Sequence, residues 1–155
     1  MYKQNLTPHL ALQKIKQYCA YQERSHFETK NKLFEYGLKP SEVDNILATL
    51  IEENFLNEER FATLFAGGKF RIKHWGKVKI KYELQQHKVS IYNIKKALQQ
   101  IDEDEYLQAL EKICKKYYTP LKGKQIEKNY KTKTYLQQKG FELDLINQTL
   151  KKIVV

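Results

Sequence analysis

The chain carries one apolar template three times. Phe27, Leu33, Leu38, Val43, Leu47 and Leu50 recur 51 residues later as Val78, Leu84, Val89, Ile94, Leu98 and Ile101. A further 52 residues on they return as Tyr130, Leu136, Phe141, Ile146, Leu150 and Ile153. All eighteen positions are apolar or aromatic in a chain that is only 41% hydrophobic. A repeat of this length constrains the fold more than any single segment. Each copy is one supersecondary unit, and it buries its apolar face against its neighbours.

Within a copy the template reads as two helices joined by a tight turn. Val43-Leu47-Leu50, Ile94-Leu98-Ile101 and Ile146-Leu150-Ile153 have the i, i+4, i+7 spacing of one buried helical face. Gly37 and Gly140 stand at equivalent places, where a helix C-terminus commonly turns through positive φ. Lys88 occupies that place in the middle copy, at a conformational cost unless the turn differs there. Ser25 with Glu28 forms a capping box, and Ser41 and Ser90 are natural N-caps.

A further helical stretch precedes each copy and completes a triplet. Thr7-Pro8 opens Leu10-Ala11-Leu12-Ile15-Tyr18-Cys19, Asn57 caps Phe61-Ala62-Leu64-Phe65, and the acids Asp102 to Glu105 precede Leu107-Leu110-Ile113-Cys114. That acid run reads as a helix cap rather than a metal site. Lys77 to Tyr82 alternates as a strand would, but its equivalents do not, and the repeat argues helix. Ala66-Gly67-Gly68 lies inside a helical pattern that it is expected to bend, and Thr119 to Gly123 is expected to be a loop. The expected fold class is all-α: an elongated, curved solenoid of three tandem three-helix repeats, at residues 1–56, 57–101 and 102–155.

Charge narrows the function. Twenty-eight Lys and Arg against eighteen acids give +10, a balance that favours an anionic partner, nucleic acid or nucleoprotein first. The excess is uneven: residues 57–101 carry ten bases and three acids, whereas residues 1–56 carry seven of each. No apolar run approaches the ~20 residues of a membrane span. Met1 to Thr7 shows no secretory pattern, so a soluble, cytoplasmic protein without a membrane partner is expected. Cys19 and Cys114 lie far apart and outside any CxxC pair, which predicts buried free thiols rather than a disulfide or zinc site.

Chemistry-bearing motifs are absent. His9, His26, His74 and His87 have no HExxH-type partner and read as exposed loop residues; no nucleophile elbow or GxxxxGK[ST] run is present. A non-enzyme without cofactor, metal or catalytic residue is expected. Lys73, Lys77 and Lys81, spaced four apart, would share one face if Gly76 does not break the helix, and with Arg71 they could track a phosphate backbone or an acidic surface. Trp75, the only tryptophan, either stacks on a base or partner or fills the joint between triplets. Arg24 has a similar choice between partner contact and packing, and Arg60 and Arg71 each have one between partner contact and a salt bridge with Glu58, Glu59 or Glu83.

Several runs resemble one family. Asn54-Phe55-Leu56-Asn57-Glu58-Glu59-Arg60-Phe61-Ala62 is similar to its "g-[yf]-[il]-[dn]-[de]-x-[rk]-[fy]-a" segment. Arg71, Trp75-Gly76, Ile80 and Glu83-Leu84 are similar to its "R…G…I…EL" stretch, and Arg24-Ser25, Lys32-Leu33 and Tyr36-Gly37 to its first-repeat pattern. This is the RecX family, bacterial modulators of the RecA recombinase. His87-Lys88-Val89 departs from the usual lysine, glycine and apolar residue, and the third repeat matches loosely. The resemblance implies a protein that binds the RecA nucleoprotein filament, lies along its groove, and inhibits ATPase and strand exchange; a monomer is expected. It also implies weak, salt-dependent contact with DNA phosphates, and raises Arg60 and Arg71, which match family positions, as contacts. Two other readings stand beside it: a stand-alone DNA-binding helical protein without sequence specificity, and a helical scaffold for a protein partner.

Overall fold

The computed structural model describes residues 4–154. The reading of Met1 to Thr7 as lacking a leader falls partly on residues 1–3, outside the described residues. Nine α-helices and no strand occur among those described. They run α1 Pro8–Tyr21, α2 His26–Glu35, α3 Pro40–Glu52, α4 Glu58–Lys73, α5 Lys77–Gln86, α6 Ile91–Gln99, α7 Glu103–Tyr118, α8 Gln125–Gln138 and α9 Leu143–Val154. The strand-like alternation at 77–82 is therefore helix, and Ala66-Gly67-Gly68 stays within a single α4.

Local chemistry sets most boundaries. Thr7, Ser25, Asn57, Ser90 and Asp102 each accept a backbone N–H from three residues on, satisfying donors that a helix start leaves open. Ser41 does not. Pro40, with φ already suited to a first helical position, starts α3 earlier, and Glu42 accepts the Lys39 N–H at 2.9 Å instead. Three histidines also differ from expectation. His9 and His26 lie in helices, and His87 is half-buried with Nδ1 3.1 Å from Ser25 Oγ.

The turn closing the second helix is the same in all three copies. Gly37, Lys88 and Gly140 have φ of 86°, 60° and 96°, and each donates its N–H to the carbonyl three residues back. Lys88 thus takes a left-handed conformation that costs an L-residue roughly 1–2 kcal/mol. The template's first column behaves differently: Phe27, Val78 and Tyr130 are 39%, 55% and 72% exposed. The buried column lies two residues on, at Thr29, Ile80 and Thr132. The threonines fit there because each hydroxyl donates to the carbonyl four residues back, at 2.9 and 2.8 Å.

The chain divides into two compact units, Met1–Leu64 with Leu84–Lys96, and Phe65–Glu83 with Ala97–Val155. In unit one, Ala11, Ile15 and Cys19 of α1 pack with Leu33 of α2 and Val43, Ile46 and Leu50 of α3. In unit two the buried faces are Tyr106-Leu110-Cys114 on α7, Thr132-Leu136 on α8 and Ile146-Thr149-Leu150 on α9. The predicted Leu107 is partly exposed, and Tyr106 takes its place in the core. Both cysteines are free and buried, and burial pushes both thiols up, Cys114 to about 11.

Candidate functional site

The candidate site lies in unit two, where α4 ends and α5 begins. Helix α4 closes through His74, at φ 58°. His74 donates its N–H to Phe70 O and Trp75 donates to Lys69 O, both at 3.1 Å, a closure that normally uses glycine. Lys73 therefore belongs to α4 while Lys77 and Lys81 belong to α5. The expected single face of three lysines is not formed, because a left-handed residue interrupts the helix between them.

Two backbone contacts fix the start of α5 against the α8–α9 turn. Gly76 donates its N–H to Lys139 O at 2.7 Å, and Val78 to Gly140 O at 2.9 Å. A Cβ on Gly76 would overlap the Gly140 backbone, and one on Gly140 would meet Lys79. Tyr106 completes the joint from α7. Its hydroxyl accepts the Lys77 N–H at 2.9 Å and donates to the Glu142 carboxylate. Its ring packs on Phe70 and Phe141. Burial first, then the bond to Glu142, holds this phenol far above its ordinary pKa.

Cations gather around this joint. Lys69 Nζ lies 5.0 Å and Lys79 Nζ 4.5 Å from the centre of the half-buried Trp75 ring, within cation–π range. Lys77 Nζ lies 4.7 Å over the Tyr106 ring. Lys139 donates to Lys73 O at 2.9 Å, supplying positive charge to the end of α4. Its own pKa is lowered by burial and then by neighbouring Lys79. Arg71, Lys73 and Lys81 are exposed, and the Arg71 guanidinium lies beside Gly67, where a Cβ would sit 2.5 Å from Nη1. Among the described residues no carboxylate lies within 4.0 Å of any of these cationic groups. Cations gathered without carboxylates leave a positive potential that an anionic partner would meet.

The other two predicted arginines lie in unit one and are engaged there. Arg60 Nε lies 2.6 Å from Glu23, not Glu58, Glu59 or Glu83, and its Nη atoms donate to Asn54 Oδ1 and O. Arg24 donates to Tyr18 O at 3.0 Å and its guanidinium lies 3.8 Å from the Tyr18 ring centre. Lys69, Lys79, Tyr106, Lys139 and Glu142 are members that the sequence did not mark. Lys139 stands 66 positions from the carbonyl it caps, and no local pattern joins the two.

Residues 57–98 match the RecX second three-helix domain and residues 103–150 the RecX third three-helix domain. The regulatory protein RecX of Prosthecochloris aestuarii is 31% identical over 144 residues, covering 93% of each chain. The chain belongs to the RecX family. It is also 30% identical to the regulatory protein RecX of Lactobacillus johnsonii over 153 residues, although it spans only 52% of that relative's length. The crystal structure of RecX from Lactobacillus salivarius has the same fold, with a TM-score of 0.84 at 20% identity over 94% of this chain and 95% of that one. The two matched RecX domains cover α4–α6 and α7–α9, so the basic joint is built within the family's shared framework. Among the described residues no helix is long and apolar enough to cross a membrane.

Proposed function

We propose that this chain regulates the RecA recombinase–DNA filament by binding along its groove, suppressing ATPase and strand exchange with no catalysis of its own. The unpaired cation cluster around Trp75 carries the reading. Arg71, Lys73, Lys77 and Lys81 are assigned to the phosphate strand or to acidic surface of the filament, with Trp75 held between two lysines as an aromatic contact. Arg60 and Arg24 are assigned to holding unit one. Lysine-rich, unpaired charge suits phosphates better than base edges, so the contact should be independent of sequence and sensitive to salt.

The test is the single-stranded-DNA-dependent ATPase rate of RecA, titrated with parent protein and with R71E/K73E/K81E at two salt concentrations. These three side chains are exposed, so folding should be unaffected. Inhibition by the variant is expected to need about 100-fold more protein, with a salt slope shallower by roughly 2. A folded variant that inhibits like the parent would remove these residues from the site. A parent that leaves RecA unaffected while binding bare DNA would favour a stand-alone DNA binder.

A further inference from the structure

A second basic site lies on the third triplet, in a groove of about 600 Å³ formed by α7 and α8 with His74 at its edge. Ala109 and Ile113 give it an apolar lining, and Tyr117 and Tyr135 stack along it at 4.1 Å and 4°. Lys112 and Lys116, one helical turn apart on α7, line it together with Lys139 and His74. No carboxylate does. Apolar and aromatic surface beside several convergent cations, with no acid to neutralise them, is complementary to a ligand that is flat and apolar at one end and anionic at the other. The volume suits a ligand of nucleotide size.

We propose that this groove binds a nucleotide, with its phosphates on Lys112, Lys116 and Lys139 and its base against the tyrosine-lined wall. The spacing of Lys112 and Lys116 allows two phosphates to be held at once, either successive ones in a strand or those of a nucleoside triphosphate. The site shares Lys139 with the joint at Gly76, but it uses none of the Arg71, Lys73 and Lys81 side chains and is read without any recombinase. It therefore stands or falls apart from the filament reading.

The experiment uses the purified full chain with three probes: a fluorescent single-stranded oligothymidylate, a fluorescent deoxynucleoside triphosphate, and inorganic tripolyphosphate as competitor. K112E/K116E is compared with K14E/K30E, the same charge change at exposed positions of unit one. The groove variant is expected to weaken at least one nucleotide probe about ten-fold or more, and the control less than about three-fold. Loss for the triphosphate probe identifies a free nucleotide as the source. Loss for the oligonucleotide alone identifies one residue of a strand. Equal loss in both variants, no loss in the groove variant, or displacement by tripolyphosphate as effective as by unlabelled nucleotide would overturn the proposal. In the last case the groove would be a general anion surface with no role for the base.

Discussion

Unit one carries eleven basic and nine acidic residues, and unit two carries seventeen and nine. The arrangement differs more than the totals. Among the described residues four ion pairs lie in unit one: Lys16–Glu53, Lys32–Glu35, Arg60–Glu23 and Lys96–Glu59. In unit two the one pair among the described residues is Lys115–Glu111, within a single helix. Both units bury equivalent side chains and turn through the same left-handed position, so the fold does not require the contrast. Unit one pairs part of its charge internally, whereas unit two leaves a cluster of cations without carboxylate partners among the described residues. Surface pairs contribute little to stability, and their near-absence from unit two therefore costs the fold little while leaving positive potential for an anionic partner.

The largest effects test whether the division itself is real. Leu33 and Leu136 are equivalent and fully buried, and Leu33→Ala and Leu136→Ala should each cost roughly 2–5 kcal/mol. Amide exchange is expected to speed mainly in unit one for the first and in unit two for the second. Uniform acceleration by either would break the comparison at its root.

The turn position comes next. Gly140→Ala adds a methyl at φ 96° and against Lys79, and should destabilise by about 2 kcal/mol or more. Lys88→Gly should stabilise by up to about 1 kcal/mol, because it relieves the strain at φ 60°. Denaturant midpoints check both. A destabilised Lys88→Gly would mean that the lysine side chain does more than occupy the turn; its Nζ lies 5.8 Å over the Phe27 ring.

Tyr106 makes unit two sensitive to alkaline pH, in the same direction as Tyr18 and Tyr36 act in unit one. Its pKa is raised in the folded chain, so its contribution is fully present below the unfolded value of about 10 and is lost as pH rises above it. The native state keeps a proton there that the unfolded chain has released. Stability should therefore fall with pH above about 10 by up to ~1.4 kcal/mol per unit from this group, and Tyr106→Phe should remove that part of the slope. An unchanged alkaline profile in a folded Tyr106→Phe would place the phenol in ordinary surroundings.

The smallest effect is the sharpest on charge. Arg60→Gln breaks the pair with Glu23 and the bonds that hold Asn54 at φ 63°. It should cost about 1 kcal/mol or less, since the pair is partly open to solvent, and leave filament inhibition unchanged. Weakened inhibition with unchanged stability would return Arg60 to the set of partner contacts.

Much of this was written locally. The nine helices of the described residues, most caps, the loop after α7 and the equivalence of Gly37, Lys88 and Gly140 follow from periodicity and from residue types that settle φ or accept an N–H within a few positions. Thr29 and Thr132 escaped a search for apolar columns because their polarity is cancelled by a bond to their own helix. The shared face of Lys73, Lys77 and Lys81 failed because His74 adopts a conformation that sequence assigns to glycine.

What the sequence determined by itself was the repeat, its helices and an excess of positive charge in the middle copy. Tertiary structure alone decided which charges meet. It brought Lys139 and Glu142 of the third copy and Tyr106 of its first helix to the joint at Gly76. It also paired Arg60 with Glu23 while leaving Arg71 without a carboxylate. The physical reason is range. Helix periodicity and capping act over three or four residues, whereas a pairing between side chains tens of positions apart exists only after the chain has closed on itself.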